Sequence, residues 1–179
     1  MEFYTTCLSV PYTISIQFDR NTLLGAEKAM SNCGIRNRIS NHISVKYIDV
    51  ENDLDEDRIR KTLDRLKYMR NIQVESIAIT NFSIMCRNEK KTESSLYLKV
   101  EPYSYLHRLH LGVIRGLREL TNIYEWHDLK NFIPHVSCGV VPDDLSIDEL
   151  NNELSKMPPI VISEWTLVLH TSTREYSLF

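Results

Sequence analysis

The chain has 179 residues, 42% of them hydrophobic and 25% charged, with a formal net charge of −3. That balance is a globular protein's, long enough for one well-buried core. The negative charge excludes coating of nucleic acid through a broad basic face, but not the capture of a small anion by a few local groups.

Taken in chain order, the hydrophobic pattern alternates strands and helices. Residues 12–19 alternate as a strand, with Ile14, Ile16 and Phe18 on one face. Asn21 is placed to cap a helix over about 22–33 that turns Leu23, Leu24 and Met30 inward. Residues 42–49 read as a second strand. Asp53 or Asp55 then caps a helix carrying Ile59, Leu63, Leu66 and Met69 on one stripe. Residues 74–85 form a third strand, and the polar run 87–94 a solvated turn. The order then begins again with a strand over 96–101 and a helix from Pro102 burying Leu106, Leu109, Val113, Leu117 and Leu120. A strand over 132–141 follows, then a helix opened by a Ser146/Glu149 capping box and stopped by Pro158-Pro159. Residues 160–170 and 175–179 read as closing strands.

Each half therefore runs strand, helix, strand, helix, strand, and each carries a His-x-Ser on its middle strand. The two histidines, His42 and His135, stand 93 residues apart. A period this long, occurring twice, reads as an internal duplication, with pseudo-repeats over about 12–85 and 95–170. The expectation is a single α+β domain over 1–179. Two lobes, two antiparallel sheets with outer helices, and pseudo-two-fold symmetry would surround a central groove.

The motif segments are Asn41-His42-Ile43-Ser44-Val45-Lys46 and Pro134-His135-Val136-Ser137-Cys138-Gly139. Alternation along a strand puts His42 with Ser44, and His135 with Ser137, on one face, while the apolar neighbours face the core. Two imidazoles facing across a phosphate suit in-line displacement as base and acid, because histidine titrates near pH 6.5. The serine hydroxyls are placed to donate to non-bridging oxygens. About one His-x-Ser or His-x-Thr is expected by chance in such a chain. Three occur, and the third, His170-Thr171-Ser172, lacks an apolar middle residue and breaks the two-fold placement, so it is read as the chance occurrence.

These segments resemble the two-histidine (2H) phosphoesterase superfamily, whose members carry two apolar-flanked His-x-Ser/Thr motifs on facing strands. The first motif is matched by His42-Ile43-Ser44-Val45 and the second by Phe132-Ile133-Pro134-His135-Val136-Ser137; the stretch from Trp165 to Leu169 with Tyr176 resembles the closing hairpin. Asn41 stands where proline is frequent, and both hydroxyl residues are serine where threonine is frequent. The resemblance implies an acid–base pair at His42 and His135, phosphate binding by Ser44 and Ser137, and no cofactor or metal. It also implies a phosphodiesterase acting on 2′,5′-linked oligonucleotides or 2′,3′-cyclic phosphates. RNA 2′,5′-ligation and a catalytically silent nucleotide- or RNA-binding module are the alternatives.

Lys46 falls on the His42 face by simple alternation and is a candidate substrate contact, as is Tyr176 by the resemblance; for each, an ordinary packing or solvated role competes. Arg36 and Arg38 precede the first motif in a loop and are read as solvated. His107 and His110 have helical i, i+3 spacing but no third ligand nearby, so they are read as an exposed polar face. Trp126 and Trp165 are read as packing residues, and His127 carries no assignment. No apolar run nears the ~20 residues of a bilayer span, and the N-terminal stretch lacks a signal peptide's basic start. Cys7, Cys33, Cys86 and Cys138 are scattered, which fits reduced thiols in a cytoplasmic monomer acting on a small nucleotide or oligonucleotide.

Overall fold

The structure is a computed structural model that describes residues 12–48, 61, 64–66, 76–86, 93–117, 128–142, 144–171 and 175–177. The strands are β1 (Tyr12–Phe18), β2 (His42–Ile48), β3 (Ile77–Cys86), β4 (Glu93–Glu101), β5 (His135–Pro142), β6 (Ile160–Ile162), β7 (Trp165–His170) and β8 (Glu175–Ser177). The helices are α1 (Leu24–Asn32), α2 (Tyr103–Leu117) and α3 (Ile147–Ser155). Most of the helix expected after Asp53 lies outside the described residues; residues 61 and 64–66 are helical, and Leu66 is buried.

The described strands form one eight-stranded antiparallel sheet, in the order β6-β3-β4-β5-β2-β1-β7-β8, where the sequence suggests two sheets. Its narrowest seam is between the motif strands, where β2 and β5 share the single register pair Ile43–Val136. Outward from the seam lie β5, β4, β3 on one side and β2, β1, β7 on the other. Both sides therefore draw strands from both halves of the chain, because β3 joins the second half and β7 the first. The stretch read as one strand over 160–170 is divided at Ser163–Glu164. Its β6 pairs with β3, whereas β7 pairs with β1 towards the opposite end of the sheet. Three residue steps from Ile162 to Trp165 span at most about 10 Å. The sheet must curl until its two ends approach.

One sheet face carries the core. Ile14, Ile16, Ile43, Val136, Leu98, Leu167 and Leu169 are all buried there. Helix α2 covers β2 and β4, and α3 packs on α1 and β3. Helix α2 buries Leu106, Leu109, Val113 and Leu117, as its period requires. Leu120 lies outside the described residues.

Local signals differ from expectation in two places, the start of the first helical segment and the start of β4. Asp19, not Asn21, opens the first helical segment: its carboxylate accepts the Asn21 N–H at 2.9 Å over a 3-10 turn, Arg20–Leu23. That turn shifts the helix phase, so Leu24 is exposed while Leu23, Ala26, Ala29 and Met30 are buried. Strand β4 begins at Glu93 rather than 96, because Ser94 and Ser95 pair with both Cys86–Met85 and Val141–Val140. The Ser146 cap is as expected, with its hydroxyl accepting the Glu149 N–H at 3.3 Å.

Candidate active site

The Ile43–Val136 pair sets the site. In an antiparallel ladder it places His42 against Ser137 and Ser44 against His135, all four on the face opposite Ile43 and Val136. Burial agrees: Ile43, Val45, Val136 and Cys138 are buried, while His42, Ser44, His135 and Ser137 are half-buried. The two His-x-Ser segments interleave across the seam.

Each imidazole is held by its Nδ1. His135 Nδ1–H donates to the Ile133 carbonyl at 2.7 Å. Ser40 Oγ lies 3.2 Å from His42 Nδ1 and 3.1 Å from the His42 carbonyl. A carbonyl only accepts, so the one hydroxyl proton of Ser40 is committed to it, and Oγ accepts from His42 Nδ1–H. The Ser40 N–H donates in turn to the Ser137 carbonyl at 2.8 Å, tying the first motif to the second. Both Nε2 atoms are left without a hydrogen bond among the described residues. The Tyr47 hydroxyl donates to Ser44 Oγ at 3.3 Å, which leaves the Ser44 proton for a ligand oxygen.

Lys46 is not on this face. Ser44 pairs with Ser15 but Lys46 pairs with Ile14, so β2 bulges at Val45 and the alternation slips by one residue. Lys46 is buried, and its Nζ lies 2.5 Å from the buried Asp128 carboxylate. Burial pushes its pKa down, while Asp128 pulls it back up. His110 is buried too, not exposed. Its Nδ1–H donates to the Val45 carbonyl at 2.7 Å, and its Nε2 accepts the Leu129 N–H at 3.0 Å, which fixes a neutral ring. That ring stacks on Phe132 with centroids 4.0 Å apart. His107 Nε2–H donates to the Leu129 carbonyl at 3.2 Å.

Strand β5 has its own bulge after its motif serine. Ser137 pairs with Tyr97 and Val140 with Ser95, and Gly139 takes up the irregularity at φ +90°, where a Cβ would stand 3.1 Å from Asn37 Nδ2. Tyr176 pairs with the buried Leu169 and packs on the core side, away from the histidines. Arg36 and Arg38 are exposed. Trp165 packs against the core, whereas Trp126 and His127 lie outside the described residues.

His170, whose tripeptide is read from the sequence as a chance occurrence, lies beside the first motif. Its ring lies 6.3 Å from that of His42, brought there by β7 through β1. Glu175 accepts from His170 Nδ1–H at 3.1 Å, and Nε2 stands 2.7 Å from Ser15 Oγ. Burial, then the His170 ring, then the His135 ring lower the pKa of His42. Beside His42 a cleft of about 650 Å³ runs over β1, β7 and β8, bordered by Gln17, Asn41, Thr166, Asp19, Glu164 and Glu175. On the other flank Tyr97 meets the His135 ring edge-on at 5.3 Å, and Lys99 pairs directly with His135. Ser40, Tyr47, Tyr97, Lys99 and His170 belong to this face and were not assigned to it from the sequence. The break of period at Tyr47-Ile48 is the one local signal of the β2 bulge. Among the described residues no group of three His, Cys, Asp or Glu side chains is gathered as a metal site would require, and no helix is long and apolar enough to cross a membrane.

No protein-family model and no curated sequence matches the chain. Solved structures do match, over nearly the whole length. Usb1 of Kluyveromyces marxianus, solved with uridine monophosphate, superposes with a TM-score of 0.55 at 12% identity, over 94% of this chain and 97% of that one. TT0787 of Thermus thermophilus gives 0.56 at 14% identity over 94% and 98%. E. coli LigT, complexed with 3′-AMP, gives 0.51 at 12% identity over 93% and 92%. These likenesses establish the architecture: the chain shares the fold of these three proteins, which are two-histidine phosphoesterases.

Proposed function

We propose that the protein is a phosphodiesterase for RNA-type substrates, 2′,3′-cyclic phosphates or 2′,5′ linkages, working by proton transfer through His42 and His135 without a metal. The observation that carries this reading is the interleaving of the two His-x-Ser segments on one face, with both Nδ1 atoms engaged and both Nε2 atoms presented. In ring opening, His42 Nε2 takes a proton from water as its oxygen attacks phosphorus. His135 Nε2–H gives a proton to the departing ribose oxygen. The lowered pKa of His42 suits it to the base, since it is neutral at lower pH than an ordinary imidazole. Ser44 and Ser137 donate to the non-bridging oxygens as charge grows on them. For a 2′,5′ linkage the attacking group is the adjacent ribose 3′-hydroxyl, and the product is a cyclic phosphate. The uridine monophosphate and 3′-AMP bound by the structural neighbours support a nucleotide in the groove.

The test is incubation with 2′,3′-cyclic nucleotides and 2′,5′-linked dinucleotides in excess chelator, with products separated by chromatography. We expect ring opening or cleavage of at least one. Turnover of none, or turnover only after a divalent ion is restored, would overturn the reading.

A further inference from the structure

The two flanks of the histidine pair differ in charge, and that difference bears on what lies beside the scissile phosphate. Strand β4 sets Lys99 directly opposite His135, and β1 sets Gln17 directly opposite His42. Paired residues in a ladder share a face, with Cβ atoms about 5 Å apart. Both side chains therefore border the groove, one cationic and one neutral. Among the described strand residues there are two cations. Lys46 is spent in the buried pair with Asp128, whereas Lys99 is exposed on the site face. No described carboxylate lies within 4 Å of the Lys99 amino group. Glu101, two residues on and on the same face, is committed elsewhere: it accepts the Tyr103 N–H at 2.7 Å at the start of α2. Tyr97, against the His135 ring, walls the same flank.

Beyond Gln17 the groove opens instead into the cleft bordered by Asp19, Glu164 and Glu175. Carboxylates there repel a second phosphate, while the room suits an uncharged nucleoside. We infer that Lys99 forms a second anion subsite on the β4 side of the histidine pair, so that the preferred substrate carries an additional phosphate on that side of the scissile group and none on the β1–β7 side. The inference rests on the proposed phosphoesterase reading, because it takes the histidine pair as the seat of the first phosphate.

Calorimetric titration tests it with adenosine 3′-monophosphate and adenosine 3′,5′-bisphosphate, on the wild-type chain, K99A and K99R. Either phosphate of the bisphosphate is free to occupy the histidine site, so the comparison does not depend on substrate direction. The wild type should bind the bisphosphate roughly tenfold more tightly, the effect of one charge-assisted contact. K99A should remove that advantage, and K99R should keep most of it. A bisphosphate bound no more tightly than the monophosphate, an advantage that survives K99A, or failure of both nucleotides to bind would overturn the inference. Turnover of 2′,3′-cyclic AMP by the wild type, measured alongside, judges the phosphoesterase reading separately: turnover without a bisphosphate advantage sinks Lys99 alone.

Discussion

The motif strands β2 and β5 carry the same His-apolar-Ser segment and treat it in the same way up to the serine. Both bulge immediately afterwards, β2 at Val45 and β5 at Gly139. They differ in what fixes the bulge. On β5 a glycine at φ +90° absorbs the irregularity through backbone freedom. On β2 the bulge turns Lys46 into the core, and a buried Lys46–Asp128 pair with His110 on the Val45 carbonyl holds it there. The surroundings of the histidines differ as well. His42 has Ser40 on its Nδ1 and a second imidazole, His170, nearby; His135 has a main-chain carbonyl, the edge of Tyr97 and an open lysine flank. Two copies of one motif thus acquire different neighbours, and those around His42 lower its pKa. In the mechanism proposed above, that difference assigns His42 as the base and His135 as the acid.

The sharpest way to break the comparison is to remove either ring. His42→Ala and His135→Ala should each lower kcat by ~10²–10⁴-fold while leaving the circular dichroism spectrum unchanged. A variant with near wild-type turnover would remove that histidine from the mechanism. Lys46→Met comes next and acts on stability: it takes the ammonium away from the buried Asp128 carboxylate, at a cost of about 3 kcal/mol. Thermal melting should show a markedly lower Tm. A normal Tm with a raised KM would return Lys46 to the substrate face.

Ser44→Ala and Ser137→Ala each delete one proposed donor to a phosphate oxygen, worth roughly 1.5–3 kcal/mol, and should lower kcat less than either histidine variant does. Loss on the scale of the histidine variants would mean that the serines do more than bind. The smallest effect is on pH dependence. A base works when unprotonated, so with His42 as the proposed base kcat/KM should rise as pH rises through its pKa. That pKa is held down first by burial and then by the His170 ring. His170→Asn relieves the second cause and should move the acidic limb to higher pH. A limb that stays put, or moves to lower pH, would separate His170 from His42.

Much of this arrangement was legible in the sequence wherever period alone decides the outcome. Ile43 and Val136 declare the buried side of each motif strand, so the face shared by His42 and Ser44, and by His135 and Ser137, followed from alternation. What alternation cannot carry is a slip of one residue, and Lys46 was misplaced for that reason. Long-range partners were out of reach too. Nothing near Lys46 announces Asp128, 82 residues away. His170 looked like an accident because its place depends on β7 crossing to β1, and the sequence read 160–170 as one uninterrupted strand. The polar Ser163-Glu164 step was the only local hint of that division. Ser40 reads as loop, and its hold on His42 and on the Ser137 carbonyl exists only once β2 and β5 meet.

The central claim is that His42 and His135 act on opposite sides of one phosphorus in one transition state. It is tested most directly by comparing kcat/KM of the wild type, the two single alanine variants and the double variant on one responsive cyclic or 2′,5′-linked substrate, in chelator. Groups that act as a unit lose their effect together, so the double variant should fall no more than about tenfold below the worse single. Losses that multiply across the two singles would show independent roles, and would contradict a shared site.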